Sequence, residues 1–230
     1  MQKALRIIGI IGIVGVIFAA IFMSTTAKTP NSEKVWDEAM TIGNMDAKNY
    51  FVIYSDIACP YCIAFENAII ENQEEFEKYI AANDILVEIR VSDYLYEYGQ
   101  YNPVSSRRSA IATYCARNEG KFWDYYDLAV TEVWNTFYKN LGKAGASGLN
   151  DLTIDYWIDL GKQVGLGETF ESCVRNEKPL AEIEANALKS VKSTEGGLPY
   201  FKFNSYVQSG FDLSSGWKEV LQAFNYGLNS

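Results

Sequence analysis

Histidine is missing altogether from the 230 residues of this chain. That absence removes Ser-His-Asp and Cys-His catalysis, histidine metal ligation, and the haem attachment that needs a His after paired cysteines. Basic clusters are missing too: the formal net charge is −9, with 20 Lys and Arg against 29 Asp and Glu. Nucleic-acid binding needs grouped cations, so no nucleic-acid partner is expected. There is no internal repeat and no low-complexity stretch. Cysteine is scarce, at four residues. Thiol, carboxylate, amine, phenol and backbone are what remain for chemistry.

What is present suffices for one domain of ordinary size, or one domain carrying an insertion, since 48% of the residues are hydrophobic. The chain opens with Lys3 and Arg6, followed by 17 uncharged residues from Ile7 to Met23. That run makes about 25 Å of helix, or about 30 Å counted from Ala4, near one hydrocarbon thickness. The two cations should stay cytoplasmic and export the rest. Residues 1–23 therefore read as a single-pass signal-anchor, with a cleaved signal peptide as the alternative. Residues 24–40, which include Thr29-Pro30-Asn31-Ser32, read as a linker.

Two of the four cysteines, Cys59 and Cys62, bracket Pro60-Tyr61. They follow an apolar run, Tyr50 to Tyr54, that reads as a buried strand, and they precede a helical pattern of Phe65, Ile69, Phe76 and Ile80. That helix is expected to run on to Asn83-Asp84, with Glu71, Glu74, Glu75, Glu77 and Lys78 outward. Cys59 then sits at a helix N-terminus, where unpaired N–H groups and the helix dipole favour a thiolate. Such a thiolate is a nucleophile for disulfide exchange. Cys59 is expected to be the exposed attacking sulfur and Cys62, one turn deeper, the resolving one. Pro60 fits the first helical turn, where a missing N–H costs nothing. The bland alternatives are a static disulfide or half a zinc site, but zinc needs four ligands and no second such pair exists. No metal and no bound cofactor are expected.

Ile85 to Val91 alternates as a second strand, giving a βαβ unit with a parallel pair. Residues 99–192 read almost entirely as helix, with Gly142 to Gly148 as a loop, and form an inserted subdomain. After Gly196-Gly197, Pro199 opens a strand, Tyr200 to Phe203; Asn204-Ser205 turns it, and Leu213 to Leu228 closes the chain as a helix.

This order resembles DsbA-like thiol:disulfide oxidoreductases, and three strings carry the resemblance. They are Tyr54-Ser55-Asp56-Ile57-Ala58-Cys59-Pro60-Tyr61-Cys62, the run from Cys115-Ala116-Arg117 to Tyr126-Asp127, and Gly197-Leu198-Pro199-Tyr200-Phe201. The resemblance implies an α/β thioredoxin fold, a central mixed β-sheet flanked by helices. Residues 41–98 and 193–230 would form it, interrupted by the helical insertion and preceded by the transmembrane helix. It implies a cis peptide before Pro199, opposite Cys59, with Leu198 and Pro199 receiving substrate; the alternative is a trans proline opening an edge strand. It also implies a membrane reoxidase of DsbB or VKOR type as partner, with exported proteins bearing reduced cysteines as substrates. Three positions depart from the pattern. Tyr61 stands where the strongest oxidants have His, Ile53 where relatives often have an acid, and Leu198 where Val or Thr is usual. A neutral phenol supports a thiolate less than an imidazolium, so Tyr61 predicts a milder oxidant.

Cys115 and Cys173 form an even spare pair in an exported chain, which suggests a structural disulfide; two buried free thiols are the alternative. Closing that loop of about 58 residues contributes about 4 kcal/mol in the chain-entropy model. Asp56 reads equally as a proton relay or as a cap of the active-site turn. Tyr94, Tyr96, Tyr98 and Tyr101 alternate like a half-buried strand end, with an adhesive surface near the active site as the alternative, while Phe122, Trp123, Tyr125 and Tyr126 read as insertion core. No dimerisation segment is evident, so a monomer is expected. A reductase or isomerase of the same fold, or a non-catalytic tethered chaperone, are the rival readings.

Overall fold

The computed structural model describes residues 35–99, 103–194 and 197–230. The anchor, residues 1–23, most of the linker, Tyr101 and Gly196 lie outside the described residues. Among the described residues no helix is long and apolar enough to cross a membrane.

A mixed five-stranded sheet forms the centre: β1 (Thr41–Gly43), β2 (Asn49–Ser55), β3 (Ile85–Val91), β4 (Tyr200–Phe203) and β5 (Tyr206–Ser209). Its order is β1-β3-β2-β4-β5, with β2 and β3 parallel and the other neighbours antiparallel. Register pins Phe51 between Val87 and Phe203, so both apolar alternates face one way. On that face Phe51 stacks on Phe224 at 4.0 Å and meets Phe203 edge-on at 5.1 Å. The helices over it are α1 (Pro60–Ile70), α2 (Gln73–Ala82) and, at the end of the chain, Trp217–Leu228.

Between β3 and β4 the chain makes α3 (Tyr94–Tyr98), α4 (Val104–Asn118), α5 (Phe122–Val133), α6 (Gly145–Asn150), α7 (Ile154–Gln163), α8 (Glu168–Arg175) and α9 (Leu180–Ser193). The closing helix is α10 (Trp217–Leu228). Phe122, Tyr125 and Tyr126 are buried in the insertion, and Trp123 is half-buried with its indole N–H on the Thr41 carbonyl at 3.2 Å.

Several expectations are corrected. The single helix from Pro60 is two, because the chain breaks at Glu71-Asn72, where the Asn72 amide donates to the Ala68 carbonyl at 2.8 Å and caps the first piece. The apolar spacing passes over that break and hides it. The Tyr94–Tyr98 segment is helix and not strand, because the Asp56 carboxylate receives the Leu95 N–H at 2.8 Å at its first turn. Gly142 to Gly148 is not a loop but a 3-10 turn followed by α6. Gly145 sits so close to the Phe137 carbonyl that a Cβ there would lie 2.0 Å away, so only glycine fits. The closing helix starts at Trp217, not Leu213, with the Glu219 carboxylate reaching back to the Gly216 N–H at 3.0 Å. The end of the expected linker is also folded: Met40 is buried, and Trp36 lies over the Arg90 guanidinium at 4.1 Å.

Candidate active site

β2 delivers Ser55 and Asp56 to the edge of the core, and the chain then turns sharply into α1. Asp56 is the pivot of that turn. Its carbonyl accepts the Cys59 N–H at 2.9 Å, and its carboxylate accepts the Ala58 N–H at 2.8 Å, the Leu95 N–H at 2.8 Å and the Ser106 hydroxyl at 2.6 Å. Asp56 therefore caps the turn and fastens it to α3 and α4 of the insertion. Burial pushes its carboxyl up to about 6, against the pull of the Ser106, Leu95 and Ala58 donors.

Cys59 is the N-cap of α1, in extended conformation, and Pro60 is the first helical residue. The Cys59 sulfur accepts the Cys62 N–H at 3.4 Å, which aims a helix-terminal dipole at it. Both thiols are free. Cys62 is fully buried, as its deeper place in the helix requires, but Cys59 is buried as well, only 4% exposed. The expectation of an exposed attacking sulfur is corrected: as N-cap, Cys59 folds back onto α1 and lies under the loop before β4.

In that loop the Leu198–Pro199 peptide is cis. The Leu198 carbonyl stands 3.8 Å from the Cys59 sulfur, and the Pro199 carbonyl accepts the Gly210 N–H at 2.8 Å, tying the loop to the end of β5. Tyr61 is half-buried beside the thiols, with the Lys143 ammonium 4.9 Å from its ring centre. The Tyr138 hydroxyl donates to the Ala58 carbonyl at 2.8 Å. The insertion thus grips the CxxC turn through Asp56, Ala58 and Tyr61. Of the residues predicted from sequence, Asp56, Cys59, Pro60, Tyr61, Cys62, Leu198 and Pro199 come together here. Cys115 and Cys173 are elsewhere, joined by a disulfide that links α4 to α8.

Burial pushes the Cys62 thiol up, and the hydrogen bond and charge of Cys59 and the charge of Glu66 add to it. Glu66 was missed by the sequence reading. It lies in α1, only 2% exposed, and accepts the Tyr126 hydroxyl at 2.7 Å. Burial pushes its carboxyl up to about 7, opposed by hydrogen bonds from Ser55 and Tyr126. A signal was available: Glu66 is four residues after Cys62, hence on the same stripe of the helix, next to Phe65. Ile53, where relatives often have an acid, is fully buried and apolar.

Two thiols one turn apart at a helix N-terminus, one beneath a carbonyl and one sealed in the core, are the groups that dithiol–disulfide exchange needs. The comparisons with known proteins agree. A family model described as "Thioredoxin" matches residues 36–209. Among curated proteins none matches the sequence. Among solved structures the chain is similar to BdbD from Bacillus subtilis in its oxidised form. There the TM-score is 0.60 and the identity 16%, covering 83% of this chain and 93% of that one. It is also similar to MdbA, a thiol-disulfide oxidoreductase from Corynebacterium diphtheriae, with a TM-score of 0.57 and 17% identity over 86% and 98% of the two chains. Reduced DsbA from Mycobacterium tuberculosis gives 0.53 and 16% over 83% and 95%. At such identities the structures speak for the shared fold, while the family match spans most of the chain. This protein belongs to the thioredoxin family, and its paired thiols make it a thiol:disulfide oxidoreductase of that family.

Proposed function

We propose that the protein is an extracytoplasmic oxidase, held to the membrane by residues 1–23, which passes its Cys59–Cys62 disulfide to exported proteins. A substrate thiolate attacks the Cys59 sulfur, the Cys59–Cys62 bond breaks, and Cys62 takes the electron pair. A second substrate thiolate then attacks the substrate sulfur of the mixed disulfide, and Cys59 leaves. The substrate gains a disulfide, and the enzyme holds the two electrons as a dithiol. No bound cofactor takes part. A membrane reoxidase of DsbB or VKOR type closes the cycle, and the chain works as a monomer. Leu198 and Pro199 receive the substrate segment, and Tyr61 tunes the pair.

One observation carries this reading: a single chain combines an exchange-competent pair, Cys59 and Cys62, with a closed bridge, Cys115–Cys173. A structural bridge of that kind persists in an oxidising compartment, where a CxxC pair is kept charged as disulfide. Alkylation gel-shift on intact cells tests it. An oxidase accumulates with Cys59 and Cys62 bridged; a reductase or isomerase accumulates with both free, and that result overturns the proposed direction. Replacing both residues by Ser should end dithiol oxidation entirely, whereas a non-catalytic chaperone would keep its activity.

A further inference from the structure

Between its two cysteines the chain carries Tyr61, a side chain without charge, and the ionisable groups packed behind the thiols are acids. Asp56 at the end of β2 and Glu66 in α1 are both buried there. Tyr138 stands close enough that, after burial itself, the charges of Cys59, Asp56 and Cys62 push its phenol up. These neighbours oppose a thiolate, and the start of α1 favours one through the Cys62 N–H, 3.4 Å from the Cys59 sulfur.

A cation enters this site from the insertion. After the π-helical turn Trp134–Tyr138 the chain makes a short helical turn, Lys139–Leu141, and then the 3-10 turn Gly142–Ala144. That strap is fastened at three points. At its root the Tyr138 hydroxyl donates to the Ala58 carbonyl at 2.8 Å. At its crest Gly142 turns with a φ of +51° and passes beside Leu213, in the loop before α10. Beyond the crest the Lys143 ammonium stands 4.9 Å from the centre of the Tyr61 ring.

Tyr61 is the second residue of α1, so the ammonium lies at the positive end of that helix. A helix repels a cation there, and the negative face of an aromatic ring is what offsets the repulsion. Lys143 is exposed and pairs with no carboxylate among the described residues, whereas Lys78, Lys121 and Lys162 each do. Its charge therefore has no counter-ion to cancel it at the CxxC turn.

We propose that Tyr61 is a positioning residue whose ring holds the Lys143 ammonium over the first turn of α1, where that charge stabilises the Cys59 thiolate. The insertion thus supplies a cation that the CxxC itself lacks. When a second substrate thiolate attacks the mixed disulfide, the bond to Cys59 breaks and Cys59 leaves with the electron pair. One thiolate is consumed and one is formed, so charge balances and Lys143 gives up no proton. Because the reduced form is the one stabilised, the cation makes the disulfide more oxidising. The inference rests on exchange at Cys59 and Cys62 and on neither direction of electron flow.

The test uses the full-length protein in detergent and reads two quantities. One is the rate at which iodoacetamide alkylates reduced Cys59 at pH 5, followed on its peptide by mass spectrometry. The other is the equilibrium constant for oxidation of glutathione by the disulfide. Lys143→Met should lower both about three- to tenfold, the reach of one exposed charge acting within about a Debye length. Lys143→Arg should restore them. Tyr61→Leu should behave like Lys143→Met, and Tyr61→Phe, which keeps the ring, should recover what Tyr61→Leu loses. The double variant Lys143→Met, Tyr61→Leu should fall no further than either single one, because charge and holder act as a unit. Salt raised from about 20 mM to about 0.5 M should move the wild type towards Lys143→Met and leave that variant in place. Wild-type values in Lys143→Met overturn the proposal, and additive losses in the double variant overturn the part given to Tyr61. Exchange that survives Cys59→Ser overturns the enzymatic reading instead, which keeps the two failures apart.

Discussion

The two faces of the sheet each bury a glutamate, and they treat it in opposite ways. On the face below α9, the Glu88 carboxylate receives the Trp36 N–H at 2.6 Å, the Asp37 N–H at 2.9 Å, the Arg90 Nε–H at 2.7 Å and the Tyr50 hydroxyl. Arg90 in turn donates to the Tyr54 hydroxyl at 2.7 Å and stacks under Trp36. Every lone pair there has a donor, so the charge is locked and the cluster can only hold the chain from residue 35 onto the sheet. On the opposite face Glu66 has an oxygen with no partner among the described residues, a cavity beside it and a thiol one turn away. A buried acid saturated with donors keeps its charge; one short of donors is pushed towards its neutral form.

The largest contrast should come from the sulfur itself. Cys59→Ser should lower thiol–disulfide exchange below detection while leaving the urea midpoint nearly unchanged, measured by insulin reduction and equilibrium unfolding. Arg90→Ala should do the reverse. It leaves the Glu88 charge buried without its cation, a change that costs about 3–5 kcal/mol, yet exchange per folded molecule should stay at the wild-type rate. An equal loss of exchange in both variants would break the contrast.

Protonation separates the faces next. The folded protein holds Glu66 at about 7 against an ordinary value of 4.5. The acid form is favoured by folding, so this group's contribution is full below about pH 4.5 and is lost as pH rises through 7. At pH 8 Glu66→Gln should therefore be more stable than wild type by up to about 3 kcal/mol, with the gain vanishing towards pH 4.5. Thermal unfolding across that range checks it, and a gain of the same size at every pH would point to packing instead.

The smallest effect concerns Tyr61. Tyr61→His should raise the reduction potential on the order of 30 mV, equivalent to about 1.4 kcal/mol for this two-electron couple. Lys143 already stands over that position and opposes a second cation, which keeps the shift small. A glutathione titration measures it. A wild-type potential already at about −120 mV, that of a strong oxidant, would sink the expectation that Tyr61 makes a mild one.

Much of this was legible in residue order, and the failures are informative. The strands β2, β3 and β4 announce themselves through dense β-branched and aromatic runs, and the CxxC through its place between strand and helix. The break between α1 and α2 was invisible, since Phe65, Ile69, Phe76 and Ile80 stay in phase across it and only an Asn72 side chain marks it. The Tyr94–Tyr98 helix was misread because an aromatic every second residue fits a strand, whereas Asp56, far away in sequence, makes it a helix. Glu88 and Arg90 fall on the face opposite Val87, as alternation requires, but nothing in the alternation says that this face is covered.

By itself the sequence determined which groups could react and in what local setting: paired thiols at a helix start, no histidine, a proline before a late strand, and an uncharged N-terminal run behind two cations. Those features depend on composition and on neighbours within a few residues. Tertiary structure alone decided that Cys59 lies buried beneath Leu198, that Asp56 is a clasp, and that Glu66 is sealed in the core against Tyr126 of the insertion. Burial and hydrogen-bond saturation are set by what the rest of the chain packs against each group, and that partner is tens of residues away.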